Sequence, residues 1–404
     1  GFPSSRSAAK QGLLLHKSKG ADRCEELSLV VVGAGKQQHC VAVVEEQFTQ
    51  HEVWRFTLPA GTPHDAPFAA LPWKVEERAG YLPREMQQKE ALIKLTTYLT
   101  HHEAMKAELK PILKRIAQKK TITVMCLNKG MLDLVLNFIC SARHHKISID
   151  NLVVFSADKE THDLVTSFGV QSFHHAGFGK LPAAAAGAYG DKTFVALMWL
   201  KVISAYLISH LGYNVLFQDA DLVWYKDPID YFTQHPEVDS FWQDDGARSA
   251  RYSPFFANSG FYFLRANGKT RNFMHAMLVG FDQIMAVRSH QHILDRLLGQ
   301  HAALYALNVM ILDKEEFPQG QVFHHNKALM KQFVDKSKVP YVFHMCWTAS
   351  KVNKLKYMKQ LGMWYLQDTC TEETLGTRGH SISGCCNAGM VPWRPNGQYP
   401  SVAS

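Results

Sequence analysis

The sequence predicts an α/β protein with a mostly parallel, doubly wound sheet flanked by helices. From residue 121 onward, short apolar runs at 121–127, 151–156 and 170–173 alternate with helical stretches at 131–143 and 157–164. This βαβ rhythm implies parallel strands joined by crossover helices. A long apolar segment, 192–211, is of helical length and feeds the run Val215-Leu-Phe-Gln-Asp-Ala-Asp-Leu-Val-Trp-Tyr-Lys-Asp-Pro228, which reads as a buried strand ending in two aspartates. At 404 residues with 46% apolar and 20% charged content, the chain has enough material for one large core with additions.

In chain order, residues 1–26 are polar and weakly patterned and predict a loose arm. The segment 28–36 contains Gly33-Ala-Gly35 but lacks a third glycine, and a second apolar run at 40–44 follows where a dinucleotide fold needs a helix. It therefore predicts a β-hairpin and argues against a dinucleotide-dependent oxidoreductase. Residues 59–83 are rich in Pro and aromatics and predict an irregular connection. Residues 85–118 read as a helix with Leu92, Leu95, Leu99, Leu109 and Leu113 on its apolar positions. After the aspartate strand, further strands are expected at 240–242, 260–264 and 341–344, with helices at 269–287 and 290–299. The Ala- and Gly-rich stretch 176–190 is a loop, and the tail beyond about residue 366 is turn-rich.

A net charge of +8 and a pI of about 8.9 suit anionic ligands such as nucleotide diphosphates, but no Lys/Arg block or nucleic-acid motif points to DNA or RNA. No run of 18 uncharged apolar residues spans a membrane. Because the chain starts at Gly1, removal of an upstream targeting or anchor segment is expected. The eight cysteines permit disulfides: Cys370, Cys385 and Cys386 crowd a tail that a staple would help, whereas Cys126 and Cys140 read as inert core thiols.

Asp219 and Asp221 at a strand end occupy the carboxyl edge of the sheet, where open α/β folds bind ligands. Holding two carboxylates together there is costly unless a cation shares the site, and a hard divalent ion carrying a diphosphate meets that need. A solvated acidic turn is the plain alternative, but the apolar flanks oppose it. His344 ends a second strand and can complete a coordination sphere begun by two carboxylates, and Lys351 seven residues on can reach a diphosphate. Asn258 and Ser259, just before the strand at 260–264, offer groups for sugar hydroxyls or, alternatively, form an ordinary turn. Asp244-Asp245 reads as an exposed acidic turn, with orientation of an acceptor as the other reading. The pairs His144-His145, His174-His175 and His324-His325 lack metal-ligand spacing.

Taken together, the block from Leu211 to Pro228, Asn258-Ser-Gly-Phe-Tyr262, His344-x-x-Trp347, Tyr189-Gly190 and Lys201 resemble the nucleotide-diphospho-sugar transferases of GT-A fold, specifically glycosyltransferase family 77 with its plant and algal xylosyl-, arabinosyl- and galactosyltransferases. The resemblance covers about 121–366. It implies a GT-A domain at 121–366, an N-terminal extension at 1–120 and a Cys-containing C-terminal tail at 367–404. It also implies Asp219, Asp221 and His344 around Mn²⁺ or Mg²⁺, Lys351 on the diphosphate of a UDP-linked donor, Asn128 near the nucleoside, and Lys201, Asn258 and Gln291 in the donor site. Where the family has an Asp-Gln pair opening a late helix, this chain reads His290-Gln291. The implied activity is retaining transfer of a pentose or galactose to a glycan or glycoprotein in the Golgi lumen, with Asp219, Asp221 and Gln291 in the reaction centre. A catalytically silent GT-A domain that binds glycans or acts as a scaffold is the alternative, favoured by His290.

Overall fold

The computed structural model describes residues 91–248, 252–370, 374 and 384–387 in full, and the backbone alone at 14–15, 27–32, 39–45, 51–57, 85–90 and 382–383. Two compact units are present, Gly1–Ile93 and Lys94–Ser404. The expected boundary at residue 120 follows the change in sequence pattern. The compact units divide earlier because Tyr98, Met105, Leu109 and Leu113 are buried in the second unit.

The first unit contains a four-stranded antiparallel sheet in chain order: β1 (Leu14–Leu15), β2 (Leu27–Val32), β3 (His39–Glu45) and β4 (His51–Thr57). Val32 pairs with His39, so Gly33-Ala-Gly35 falls in the connection of a β2–β3 antiparallel pair, as the missing helix predicts. The loop residues themselves, most of the arm and the 59–83 connection lie outside the described residues.

Helix α1 (Glu85–Ile116) runs into the second unit. Its buried stripe of Tyr98, Met105, Leu109 and Leu113 has helical spacing, but Leu99 is exposed, so the buried face is rotated from the one the leucines suggest. Beyond it a seven-stranded sheet contains β5 (Thr121–Leu127), β6 (Leu152–Ser156), β7 (Ser172–Phe173), β8 (Asn214–Gln218), β10 (Ser240–Asp244), β11 (Ala257–Leu264) and β12 (Val309–Leu312). The spatial order is β12-β10-β11-β8-β5-β6-β7. Pairs β5–β6, β6–β7, β5–β8 and β10–β12 are parallel, whereas β11 runs antiparallel to both β8 and β10. The strand expected at 170–173 shortens to β7.

Helices cover the sheet: α2 (Leu132–His144), α3 (Lys159–Ser167), α4 (Lys192–His210), α5 (Pro228–Thr233), α6 (Gly268–Val279), α7 (Phe281–Val287) and α8 (His290–Tyr305). Asp158, Asp191 and Ser289 each accept a backbone N–H at a helix start, and Asn267 with Thr270 forms a full capping box. By length and composition α4 is apolar enough to cross a membrane, yet it is mostly buried, as expected of a core helix. The helix expected at 269–287 is two helices, broken at Gly280, the weakest helix former in that segment. α8 extends past 299 to Tyr305, where Ala306 takes a left-handed conformation and ends it.

Two disulfides are present among the described residues: Cys140–Cys386 ties the tail to this framework, and Cys370–Cys385 closes a short loop within the tail. The first corrects the reading of Cys140 as an inert thiol: it faces the tail from α2, and its partner lies 246 residues away in sequence. Cys126 stays free, and burial pushes its thiol up to about 12.

Two predictions follow from this packing. Replacing Cys140 and Cys386 by Ala should lower stability by about 2–5 kcal/mol, read from urea unfolding, because the link restricts a long stretch of the unfolded chain. The second concerns His102 of α1, which accepts or donates a 2.9 Å hydrogen bond with the Tyr98 hydroxyl and whose ring lies 5.4 Å from that of His210. Burial, with Lys106 and His210 nearby, holds it down to about 4. An imidazole depressed in the fold contributes stability that is complete above the unfolded value near 6.5 and is lost as pH falls from there toward 4. The melting temperature should therefore drop over that window, and His102→Gln should flatten the drop; an equally steep profile in the variant would contradict this.

Candidate active site

At the end of β8 the chain turns through Asp219-Ala220-Asp221 and re-enters a strand, β9 (Leu222–Trp224). β9 pairs antiparallel with β13 (Val342–His344), and the register sets His344 opposite Leu222. A three-residue ladder thus brings His344 beside Asp221, from distant parts of the sequence. Backbone bonds lock the turn: Asp219 N–H donates to Gly260 O at 2.7 Å and Met345 N–H to Asp221 O at 2.9 Å.

Ligand atoms of Asp219, Asp221 and His344 all lie within 4.8 Å of one another. His344 Nε2 stands 3.4 Å from Asp221 Oδ1 and 3.9 Å from Asp219 Oδ2. Asp221 and His344 are each 1% exposed, while the Asp219 side chain is 25% exposed, so the group opens to solvent on the Asp219 side.

Gln243 fixes the tautomer of His344. Its Nε2 donates to Phe317 O and Pro318 O at 3.0 and 3.2 Å, which leaves Oε1 as an acceptor 2.8 Å from His344 Nδ1. Nδ1 therefore carries the proton, and Nε2, which has no hydrogen-bond partner among the described residues, faces the two carboxylates. A neutral Nε2 lone pair aimed at two carboxylates is repulsive; the arrangement is stable with a proton or a cation between them. Burial works against a charged imidazole, yet the Cys346 sulfur and the Asp221 carboxylate push it up to about 10.

Two lysines balance the aspartates. Lys354 Nζ lies 2.6 Å from Asp221 Oδ2, and Lys201 of α4 is ion-paired with Asp219 Oδ1. Burial opposes ionisation of Asp221, but Lys354 and His344 hold it well below the usual carboxylate range. The donor set fits a divalent cation: two carboxylate oxygens and an imidazole nitrogen whose other nitrogen is anchored by a buried amide. Gly260 leaves the room. A Cβ there would stand 2.5 Å from His344 Cε1 and 2.7 Å from Asp219 Oδ2.

Beside this group lies a buried polar chain. Asn258 Nδ2 donates to Asp245 Oδ1 at 2.8 Å and its Oδ1 accepts the Gly260 N–H at 2.7 Å; Ser259 N and Oγ donate to Gln291 Oε1 at 3.2 and 3.1 Å. Asp245 is buried, which corrects its reading as an exposed turn: just past β10 its N–H donates to Phe256 O at 2.8 Å and its carboxylate accepts from Asn258, while Asp244 pairs with Arg248. Burial raises the Asp245 carboxyl, partly offset by Gln291 and Asn258. His290, next to Gln291, is buried with neither ring nitrogen hydrogen-bonded among the described residues. Burial first, then the Lys201 charge, holds it neutral.

Lys351 and Lys354 both project from α11 (Lys351–Gln360), which follows α9 (Gly320–His325) and α10 (Lys327–Val334). Lys351 sits at the tip of β5, 2.6 Å from Gly130 O and 2.9 Å from Asp133 Oδ1, and not on the aspartate pair. Asn128 is at the same tip, donating to Pro182 O and Ala184 O at 2.9 and 2.6 Å, with its own buried Oδ1 unbonded among the described residues. The loop 182–185 lies so close that a Cβ on Gly130 would meet Ala185 N at 2.1 Å. Lys354 and Gln243 are the site residues sequence reasoning missed. Only Lys354 left a signal, three residues after Lys351 on one helical face.

Residues 147–358 match the family model described as nucleotide-diphospho-sugar transferase. The chain belongs to this family. The mixed sheet, with its aspartate turn at the carboxyl end of β8, is in keeping with that membership. Among curated relatives, Beta-arabinofuranosyltransferase RAY1 of Arabidopsis thaliana is 25% identical, covering 64% of this chain and 50% of its own length. UDP-galactose:fucoside alpha-3-galactosyltransferase of Dictyostelium discoideum is 22% identical over 63% and 44%, respectively. UDP-D-xylose:L-fucose alpha-1,3-D-xylosyltransferase 3 of Arabidopsis thaliana is 23% identical over 65% and 71%. The chain thus spans about half the length of the first two. Of solved structures, mouse xyloside xylosyltransferase 1 aligns with a TM-score of 0.37 and 12% identity, over 57% of this chain and 99% of that one.

Gly260→Ala tests the cradle. The added methyl should cost about 1–3 kcal/mol in stability and weaken Mn²⁺ binding about 10–100-fold, the second measured by electron paramagnetic resonance of free Mn²⁺. Unchanged affinity in a folded variant would mean that the three side chains do not share an ion.

Proposed function

We propose that this chain transfers a sugar, a pentose or galactose, from a UDP-linked donor to a hydroxyl of a glycan or glycoprotein, with retention at the anomeric carbon. The observation that carries the reading is His344 Nε2, buried, without a hydrogen bond among the described residues and 3.4 and 3.9 Å from the Asp221 and Asp219 carboxylates. Asp219, Asp221 and His344 would hold Mn²⁺ or Mg²⁺, which neutralises charge on the departing diphosphate when bound. Relatives support the donor class, since their names specify UDP-galactose and UDP-xylose, and fucose or a fucoside as acceptor.

The chain's own groups divide by chemistry. Lys201, Lys351 and Lys354 supply three ammonium groups for the diphosphate, and Asn128 at the β5 tip, whose amide hydrogens hold the 182–184 loop, offers its Oδ1 to the nucleoside. Asn258, Ser259 and Gln291 face the donor sugar. In the transfer step the acceptor oxygen bonds to the anomeric carbon as the bond to the phosphate oxygen breaks, and the acceptor proton passes to that oxygen on the same face. Asp245 accepts from Asn258 and orients its amide. Two disulfides suit an oxidising compartment and support a place in the secretory pathway, with the Golgi lumen the favoured site.

His290 favours a second reading, a silent domain that binds glycans without turning over, because a neutral buried imidazole stands where the family has a carboxylate. One assay separates the two: release of UDP from UDP-xylose, UDP-arabinose and UDP-galactose with Mn²⁺, with chelator, and in Asp219→Asn. Asp221 is the poorer target, since its loss strands the Lys354 ammonium at a cost of about 3–5 kcal/mol. Turnover of one donor, falling about 100-fold or more in the variant, is expected. Turnover indifferent to chelator contradicts the metal assignment, and a donor-dependent rise in melting temperature without turnover favours the silent domain.

A further inference from the structure

We propose that Trp347 is the acceptor platform, offering its indole face to the apolar face of a neutral sugar ring beside the Asp219–Asp221–His344 cluster. The inference deepens the glycosyltransferase reading and rests on it. Trp199, Trp224 and Trp242 are fully buried, whereas Trp347 is 48% exposed. Its backbone is left-handed at φ 59°, and Ser350 follows at φ 64°, two non-glycine residues in a conformation that bulky side chains rarely adopt. Such strain persists where the surroundings over-determine it, and it clusters at ligand sites.

Here the surroundings are visible on every side. Trp347 Nε1 donates to Asp245 O at 2.7 Å, tying the indole to the same loop whose carboxylate holds Asn258. Underneath, Gly320 is pressed against the chain: a Cβ there would stand 1.6 Å from Cys346 O and 3.2 Å from Trp347 Cβ. Thr348 Oγ1 lies 3.3 Å from His324 Nε2, and Met345 N–H is bonded to Asp221 O. The indole is thus anchored at Nε1, three residues from His344 of the cluster, with its one polar atom already bonded. What remains exposed is carbon and π surface. That surface cannot serve a diphosphate, whose charge calls for Lys201, Lys351 and Lys354. It suits the C–H face of a pyranose or furanose ring.

The test compares wild type, Trp347→Phe and Trp347→Ala in the full chain. Saturation-transfer NMR with methyl α-L-fucoside, methyl β-D-galactoside and methyl β-D-xyloside, without donor, reads direct contact; transfer assays read acceptor and donor KM separately. Ring-proton signals from at least one glycoside, lost in Trp347→Ala, with acceptor KM raised about tenfold and less in Trp347→Phe, are the expected results. An equal or larger rise in donor KM overturns the proposal, as does a loss of melting temperature large enough to account for both. Glycoside contact that survives Trp347→Ala also overturns it. If no nucleotide sugar is turned over by wild type, the enzymatic reading fails, while the NMR contact still decides the platform by itself.

Discussion

Everything in the second unit answers to one electrostatic problem: two carboxylates and an imidazole kept within 4.8 Å in a mostly buried pocket. An arrangement with that much negative charge at low solvent access is stable only if cations balance it. Lys354 and Lys201 do so within the protein, one on each aspartate. On the glycosyltransferase reading proposed above, a divalent ion on the carboxylates would free the same two ammonium groups for phosphate oxygens.

The scaffold serves this cluster through close backbone approaches. The β9–β13 ladder fixes His344 against the aspartate turn; Gly260 removes the one side chain that would wedge them apart; Gln243 sets the proton on the far nitrogen of the imidazole. Gly320 and Gly130 do similar work at two neighbouring places, admitting the 346–347 backbone and the 183–185 loop. Small residues at these approaches and a buried amide behind a ligand are what make a site precise instead of merely acidic.

The alternation of strands and helices, and Asp219, Asp221 and His344 at strand ends, were legible in the sequence because each lies beside an apolar run that declares its own geometry. The partners that complete the site were not. Gln243 lies 101 positions from His344, and nothing local marks which of its two faces turns inward. Asp245 looked exposed because an Asp-Asp pair ordinarily is; its burial comes from Asn258 and the Phe256 backbone, which are distant from it in pattern though near in the fold. Lys351 drew attention by its distance from His344, whereas helical periodicity carries Lys354 to Asp221. Cys140 read as core because it is surrounded by apolar residues, and a disulfide to a tail 246 positions away leaves no local trace.

The most direct measurement is anomalous diffraction at the manganese edge from crystals grown with Mn²⁺ and UDP. The account predicts one strong peak bounded by Asp219, Asp221 and His344 Nε2, with the Lys354 and Lys201 ammonium groups moved off the carboxylates toward the diphosphate. A peak elsewhere in the cleft, or UDP bound with both lysines still on the aspartates and no metal among them, would contradict it.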